Sequence, residues 1–480
     1  MTSNKRWALA GAMGVAMLAS AVVVHTSTAA QSAGSTASGG LRFRPMVVTV
    51  GKVHSPTPPT EQQCLARFHF PCYSPDQIET AYNVQPLFRQ GVNGSGETIV
   101  IVDSFGSPTI VPDLAYFDRS FGLPTPPSLR ILTPEGAVHF NPATTTELGW
   151  AGETTLDVEY SHAMAPGANI LLVETPTAET EGVTGFPTIM AAESYVIDHH
   201  LGDVISQSFG ATEETFTSPQ TILKLRSAYE SAYTQGVTVL AAAGDTGATT
   251  FTVTEQHHYP YRVVSWPPSD PLVTAVGGTK LTLDTSGQRL VPDVVWNDTY
   301  NHYVVGTTPS PSAGGGGLSS VFSRPSYQNG VADVVGNRRG IPDISMSAAC
   351  SGAVLIYQSV DGKTAAWTVT CGTSEATPLF AGIVALSDQV AHHSLGLINP
   401  ALYAMSAEHA QGLVDVTQGD NTVSFTTAGH IVTVPGYSAG PGYDLASGVG
   451  TVNAALFVPE LVQAVATAST GPFAYRGTAP

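Results

Sequence analysis

The chain has 480 residues, 42% of them hydrophobic and only 12% charged, with 48 Gly and 34 Pro, so the bulk of it can bury a large core and is not a disordered chain. Its 37 acidic against 19 basic residues leave a net charge of -18, which argues against nucleic acid or an anionic membrane surface as partner. With so few Lys and Arg, little positive self-repulsion builds up when carboxylates protonate, and this fits an acidic habitat.

The N-terminus opens with Lys5 and Arg6, an apolar run from Trp7 to Val24 and small residues through Ala30. That order reads as a secretory signal over residues 1–30 and predicts a secreted, extracellular protein; an uncleaved anchor is the alternative. No later segment is long and apolar enough to span a bilayer. Residues 31–71 read as a linker or short pro-segment, rich at first in Ser, Gly, Thr and Pro. Export permits disulfides among Cys64, Cys72, Cys350 and Cys371. Of three connectivities the economical one pairs Cys64 with Cys72 and Cys350 with Cys371; a metal site competes, without CxxC spacing to support it.

From Cys72 onward the pattern becomes regular. Buried strands are predicted over 97–103, 170–174, 203–208, 237–243 and 272–276, and helices over 150–164, 186–200 and 219–235. Such alternation predicts an α/β fold, a doubly wound and mainly parallel sheet with helices on both faces and its chemistry at the carboxyl ends of the strands. A further helix is expected over 374–390, after a Gly-rich, loop-like region.

Three motifs carry candidate chemistry. Ser374 stands at the start of the last helix, where an oriented N–H and the helix dipole favour an oxyanion; as an alternative it is a plain N-cap. A nucleophilic serine needs a base, yet none of the 14 His stands in a His-Gly-Thr setting, and His162 reads as a packed or surface residue. Glu153 and Asp157, four apart on one helix, face the same way with Cβ atoms about 6 Å apart and can share a proton. The bland reading is a solvated acidic helix face. Asp245 ends an apolar strand at Gly244, where a protonated carboxyl can donate to an oxyanion, unless it is simply a turn residue. Asp103, at the end of the first strand, reads as a strand-end residue near the cleft.

These motifs in this order, with flanks such as Tyr73 to Ile78, His162 to Asn169, Val273 to Thr279 and Arg339 to Ser345, closely resemble the sedolisins, the serine-carboxyl peptidases of subtilisin-like fold. The match runs from about Cys72 to Val462, within a peptidase domain placed at 72–465 and followed by a tail, 466–480. The resemblance implies a secreted, monomeric endopeptidase acting on proteins or peptides at acidic pH through an acyl-enzyme on Ser374. Glu153 would be the base, Asp157 its partner, and Asp245 the oxyanion-hole acid, with the Ser374 backbone N–H as second donor. It also implies one structural Ca²⁺ held by Asp415, Val416, Gly440, Gly442 and Asp444, a set that otherwise reads as a loop with two surface Asp. Two departures stand out. Glu375 follows the nucleophile where a small residue is usual, and it could raise the dyad's pKa or narrow the cleft. Only a short stretch precedes the domain where the family carries a long pro-domain, which puts self-activation in doubt. A catalytically impaired, secreted peptide-binding homologue is the competing reading.

Overall fold

The structure, a computed structural model, describes residues 48–360 and 365–468. The signal segment, residues 31–47 of the linker and 469–480 of the tail lie outside the described residues. In chain order the strands that build the site are β1 (Val48–Val53), β2 (Cys72–Tyr73), β3 (Thr98–Ser104), β4 (Leu129–Leu132), β5 (Asn169–Thr175), β6 (Val204–Gln207), β7 (Thr238–Ala242), β8 (Thr274–Lys280), β9 (Val294–Val295), β10 (Ile344–Ser347), β11 (Ala353–Gln358) and β12 (Ala366–Cys371). The helices are α1 (Glu61–Phe68), α2 (Ile110–Phe121), α3 (Thr145–Met164), α4 (Phe186–Asp198), α5 (Pro219–Leu225), α6 (Ser227–Gln235), α7 (Thr373–Ala391) and α8 (Ala454–Ala468).

The central sheet runs β9-β8-β7-β6-β3-β5-β4, with β10 also paired to β8. Every pairing in it is parallel except β8 with β9. The reason lies in the strands' composition: continuous apolar runs suit a sheet covered on both sides. Successive side chains alternate faces, so Ile99, Ile101, Ile170 and Leu172 join one core together with Leu156 and Met164 of α3 and Leu379 and Ile383 of α7. Val100, Val102, Leu171 and Val173 join the other, with Ile189 and Val196 of α4 and Tyr229 of α6. Each such fully buried aliphatic side chain contributes about 1.5–3 kcal/mol, so the sheet is held from both sides.

The predicted strands are found within a residue or two, except that β8 starts at Thr274 and runs four residues further, to Lys280. The Asp270 carboxylate accepts the Leu272 N–H at 3.0 Å, which spends the start of that apolar run on a turn. The helix expected over 219–235 is two helices meeting at Arg226, whose guanidinium is drawn onto Asp270 by two hydrogen bonds of 2.9 Å.

Residues 48–71 carry more structure than a linker. β1 pairs antiparallel with β12, setting Val48 opposite Cys371, in a small sheet ordered β1-β12-β11-β2. α1 is closed by a capping box between Thr60 and Gln63 and stapled by the Cys64–Cys72 disulfide. Cys350 is bonded to Cys371, so both expected pairings are present.

Candidate active site

The site is assembled where α3 and α7 pack together beneath the strand ends. Their contact is close because position 382 is glycine: a Cβ there would lie 2.4 Å from Met164 Cβ. α7 begins at Gly372, whose φ of 127° is a left-handed conformation that suits glycine. The Gly372 N–H donates to Ala348 O at 2.9 Å, anchoring the helix start beside β10. Ser374 follows within the first turn. It is fully buried, and its hydroxyl makes no hydrogen bond to the described residues, while the positive end of a 19-residue helix lies at its backbone.

Asp245 is tied to this turn. Its Oδ1 accepts from the Thr373 N–H and the Thr373 hydroxyl, both at 2.7 Å, and the Thr373 hydroxyl in turn accepts the Gly244 N–H at 3.1 Å. Asp245 Oδ2 has no hydrogen-bond partner among the described residues. Burial pushes the carboxyl up to about 7, against the pull of the two Thr373 hydrogen bonds, so below neutrality it is a neutral acid able to donate. The Gly-rich run 314–317 closes over this strand end; a Cβ on Gly315 would sit 2.1 Å from Ala243 O, and the Gly315 N–H reaches Gly244 O at 2.7 Å. Only glycine brings backbone that near.

On α3, Glu153 and Asp157 are completely buried. This removes the reading of a solvated acidic face. Asp157 is held well above the ordinary carboxylate range by burial and then by the charges of Asp103 and Glu153, while the Ser208 hydroxyl donates to its Oδ1 at 3.0 Å. Asp103 itself is pushed up to about 7 by burial, with the Thr154 hydroxyl working in the opposite sense. Three carboxyls therefore form one coupled acid cluster that cannot ionise together cheaply. Asp103 and Ser208 were missing from the sequence-derived site. The Asp103 signal was its place at the end of a buried strand; only the register of β3 against β5 and β6 turns it toward α3.

The structure places the other predicted residues plainly. His162 is buried, with Nε2 at 2.7 Å from Pro124 O and 3.4 Å from Asp118, and burial lowers it to about 4; it is a packed histidine. Glu375, expected to crowd the cleft or the dyad, is instead fully buried near Ser347, Tyr73, Tyr82 and Tyr160, and burial holds its carboxyl well above the usual range. A residue next in sequence on a helix is rotated about 100° from its neighbour, and the Asp245 charge adds to the upward push on Glu375.

The five residues of the expected cation site do come together. The Gly442 N–H donates to Asp415 Oδ2 at 2.9 Å and the Gly440 N–H to Asp444 Oδ2 at 3.0 Å. The Ser447 hydroxyl bridges Asp444 Oδ1 at 3.1 Å and Val416 O at 3.4 Å. Two carboxylates beside the Val416 carbonyl are hard oxygens of the kind calcium takes, although the Gly440 and Gly442 N–H groups already hold one oxygen of each carboxylate. Among the described residues no cluster of three or more His, Cys, Asp or Glu suits a metal, so any ion here would depend on the carbonyls.

Fold and site together define a class: a doubly wound α/β scaffold of the subtilisin type in which one helix carries a buried acid pair and packs against the helix whose first turn holds a buried serine, tied to a buried strand-end acid. Comparison with known proteins agrees. A model of the subtilase family matches residues 145–428. Kumamolisin of Bacillus sp. (strain MN-32) is 32% identical over 386 residues, 79% of this chain and 62% of that protein. Tripeptidyl-peptidase 1 of Rattus norvegicus is 32% identical over 321 residues, 64% of this chain and 51% of that protein. Among solved structures, Pseudomonas sedolisin, a serine-carboxyl proteinase complexed with pseudo-iodotyrostatin, superposes with a TM-score of 0.66 at 26% identity, covering 82% of this chain and 99% of that one. The chain belongs to the subtilase family and, within it, to the sedolisins. It spans between half and two thirds of the length of the curated relatives it matches.

Proposed function

We propose that this protein is a secreted serine-carboxyl endopeptidase that hydrolyses peptide bonds at acidic pH. Ser374 is the nucleophile; Glu153, paired with Asp157, takes its proton, and the acyl-enzyme formed is then released by water. Asp245, as a neutral acid, donates from Oδ2 to the oxyanion, with the Ser374 N–H as second donor. The observation that carries this reading is the tether of Asp245 to Thr373, which fixes a buried carboxyl beside the residue preceding the serine and leaves its second oxygen unengaged among the described residues. Asp245 must be protonated while the Glu153/Asp157 pair keeps one carboxylate free to accept the serine proton, and the first condition confines the reaction to the acid side of neutrality.

Secretion is supported by the N-terminal sequence pattern, and no described helix is long and apolar enough to cross a membrane. A Ca²⁺ ion held by Asp415, Asp444 and the carbonyls of Val416, Gly440 and Gly442 would tie the 415 and 440 loops together and play no part in the chemistry. Against the impaired peptide-binding reading, which Glu375 favoured mildly, stands the burial of Glu375 among tyrosines. A casein digest at about pH 4 separates the two, with and without a peptide aldehyde. The endopeptidase reading expects aldehyde-sensitive fragments that Ser374→Ala and Glu153→Gln each abolish; an unchanged rate in either variant removes the mechanism.

A further inference from the structure

Beside Asp245 the strand ends open into a cavity of about 480 Å³, the size range that takes a side chain or small ligand. Four carboxyl residues line it, Glu179, Glu181, Asp245 and Glu255, and among the described residues no Lys or Arg does. Its apolar wall includes Phe251 and Val304. His258 also lines it, with its ring 4.5 Å from that of Phe251 and 5.1 Å from that of Phe425.

The acids are built into the fold and do not simply border the space. Glu179 is only 5% exposed, and its Oε2 makes no hydrogen bond to the described residues. Glu181 is fixed by the Thr212 N–H at 2.8 Å and the Thr215 hydroxyl at 3.1 Å, both on Oε2, and its own N–H donates to Glu255 Oε1 at 3.5 Å. Burial pushes Glu181 up to about 8 and holds Glu179 well above the ordinary range, with Glu255 and Glu181 adding repulsion at Glu179. A buried acceptor without a donor, among like groups that repel when ionised, is satisfied by one kind of visitor: a cation that brings several N–H donors. The aliphatic stem of such a side chain finds its match in Phe251 and Val304.

We propose that this cavity is a specificity pocket for an arginine or lysine side chain of the substrate flanking the bond to be cut, with Glu179 as its determinant. The inference rests on the peptidase reading for the word substrate, but its test does not need turnover. Peptides that differ only by arginine or its neutral isostere citrulline, placed at successive positions, are titrated by calorimetry into Ser374→Ala protein at about pH 6, in two buffers of different ionisation enthalpy. The expected result is one position at which arginine binds at least about tenfold tighter than citrulline, with proton release, and a ratio that falls toward one in Glu179→Gln. Glu255→Gln serves as a second variant should Glu179→Gln fold poorly, and it is expected to reduce the same ratio. Equal binding of arginine and citrulline at every position, or a ratio untouched by both variants, overturns the proposal. Loss of casein cleavage would bear on the peptidase reading alone.

Discussion

Asp245→Asn isolates the acid on which the chemistry depends. Asn keeps the Oδ1 acceptor for the two 2.7 Å hydrogen bonds from Thr373 and stays neutral at every pH. In the native protein burial raises the Asp245 carboxyl from 3.8 to about 7. Its folded pKa is thus above its unfolded one, so its contribution to stability is fully present below the unfolded value and is lost as pH rises through the folded value. Each pH unit between the two carries about 1.4 kcal/mol, so by pH 7 the wild type forfeits on the order of 4 kcal/mol that the variant retains. Urea unfolding of both proteins between about pH 3.5 and 7.5 reads the difference directly. Near pH 3.5 the curves should nearly coincide, and by neutrality Asp245→Asn should be the more stable by several kcal/mol. A difference that stays constant across the range refutes the buried, neutral carboxyl and with it the acid requirement.

Three further outcomes follow from the same geometry. Arg339 is fully buried and doubly bonded to Asp343, with Nη1–Oδ1 at 2.6 Å and Nη2–Oδ2 at 2.5 Å; Arg339→Met should lower the unfolding free energy by about 3–5 kcal/mol, because an unpaired carboxylate is left inside. Gly382→Ala forces a Cβ against Met164 at 2.4 Å, so chemical denaturation should show a loss of about 1–2 kcal/mol even though alanine is the better helix former. If calcium ties the Asp415 and Asp444 loops together, a chelator should lower the melting temperature by about 5 °C, reversed by added Ca²⁺ and absent in Asp444→Asn; equal melting with and without chelator removes the ion.

The sequence shows the parts of this molecule that local pattern controls. Runs such as 99–102 are apolar at every position because both faces of the strand are buried, so strand identity survives without knowledge of partners. The acid pair on α3 was visible from its four-residue spacing, and Ser374 and Asp245 from their places at a helix start and a strand end. What stayed hidden depends on distant contacts. The break at Arg226 is decided by Asp270, and the third acid of the cluster, Asp103, acquires its role only when β3 lies between β5 and β6. The burial of Glu375 among Ser347 and three tyrosines depends on distant strands and helices and had no local signal. The pairing of β1 with β12 joins residues more than 300 positions apart, a distance at which no local signal exists.

The central claim is that a buried carboxyl, and not an imidazole, accepts the proton of Ser374. It is tested most directly by kcat/KM of Glu153→Gln on a peptide substrate at about pH 4, with melting curves to show that the variant is folded. A fall of about 10²-fold to 10⁴-fold is predicted for a lost general base. A folded variant within tenfold of the wild type would contradict it.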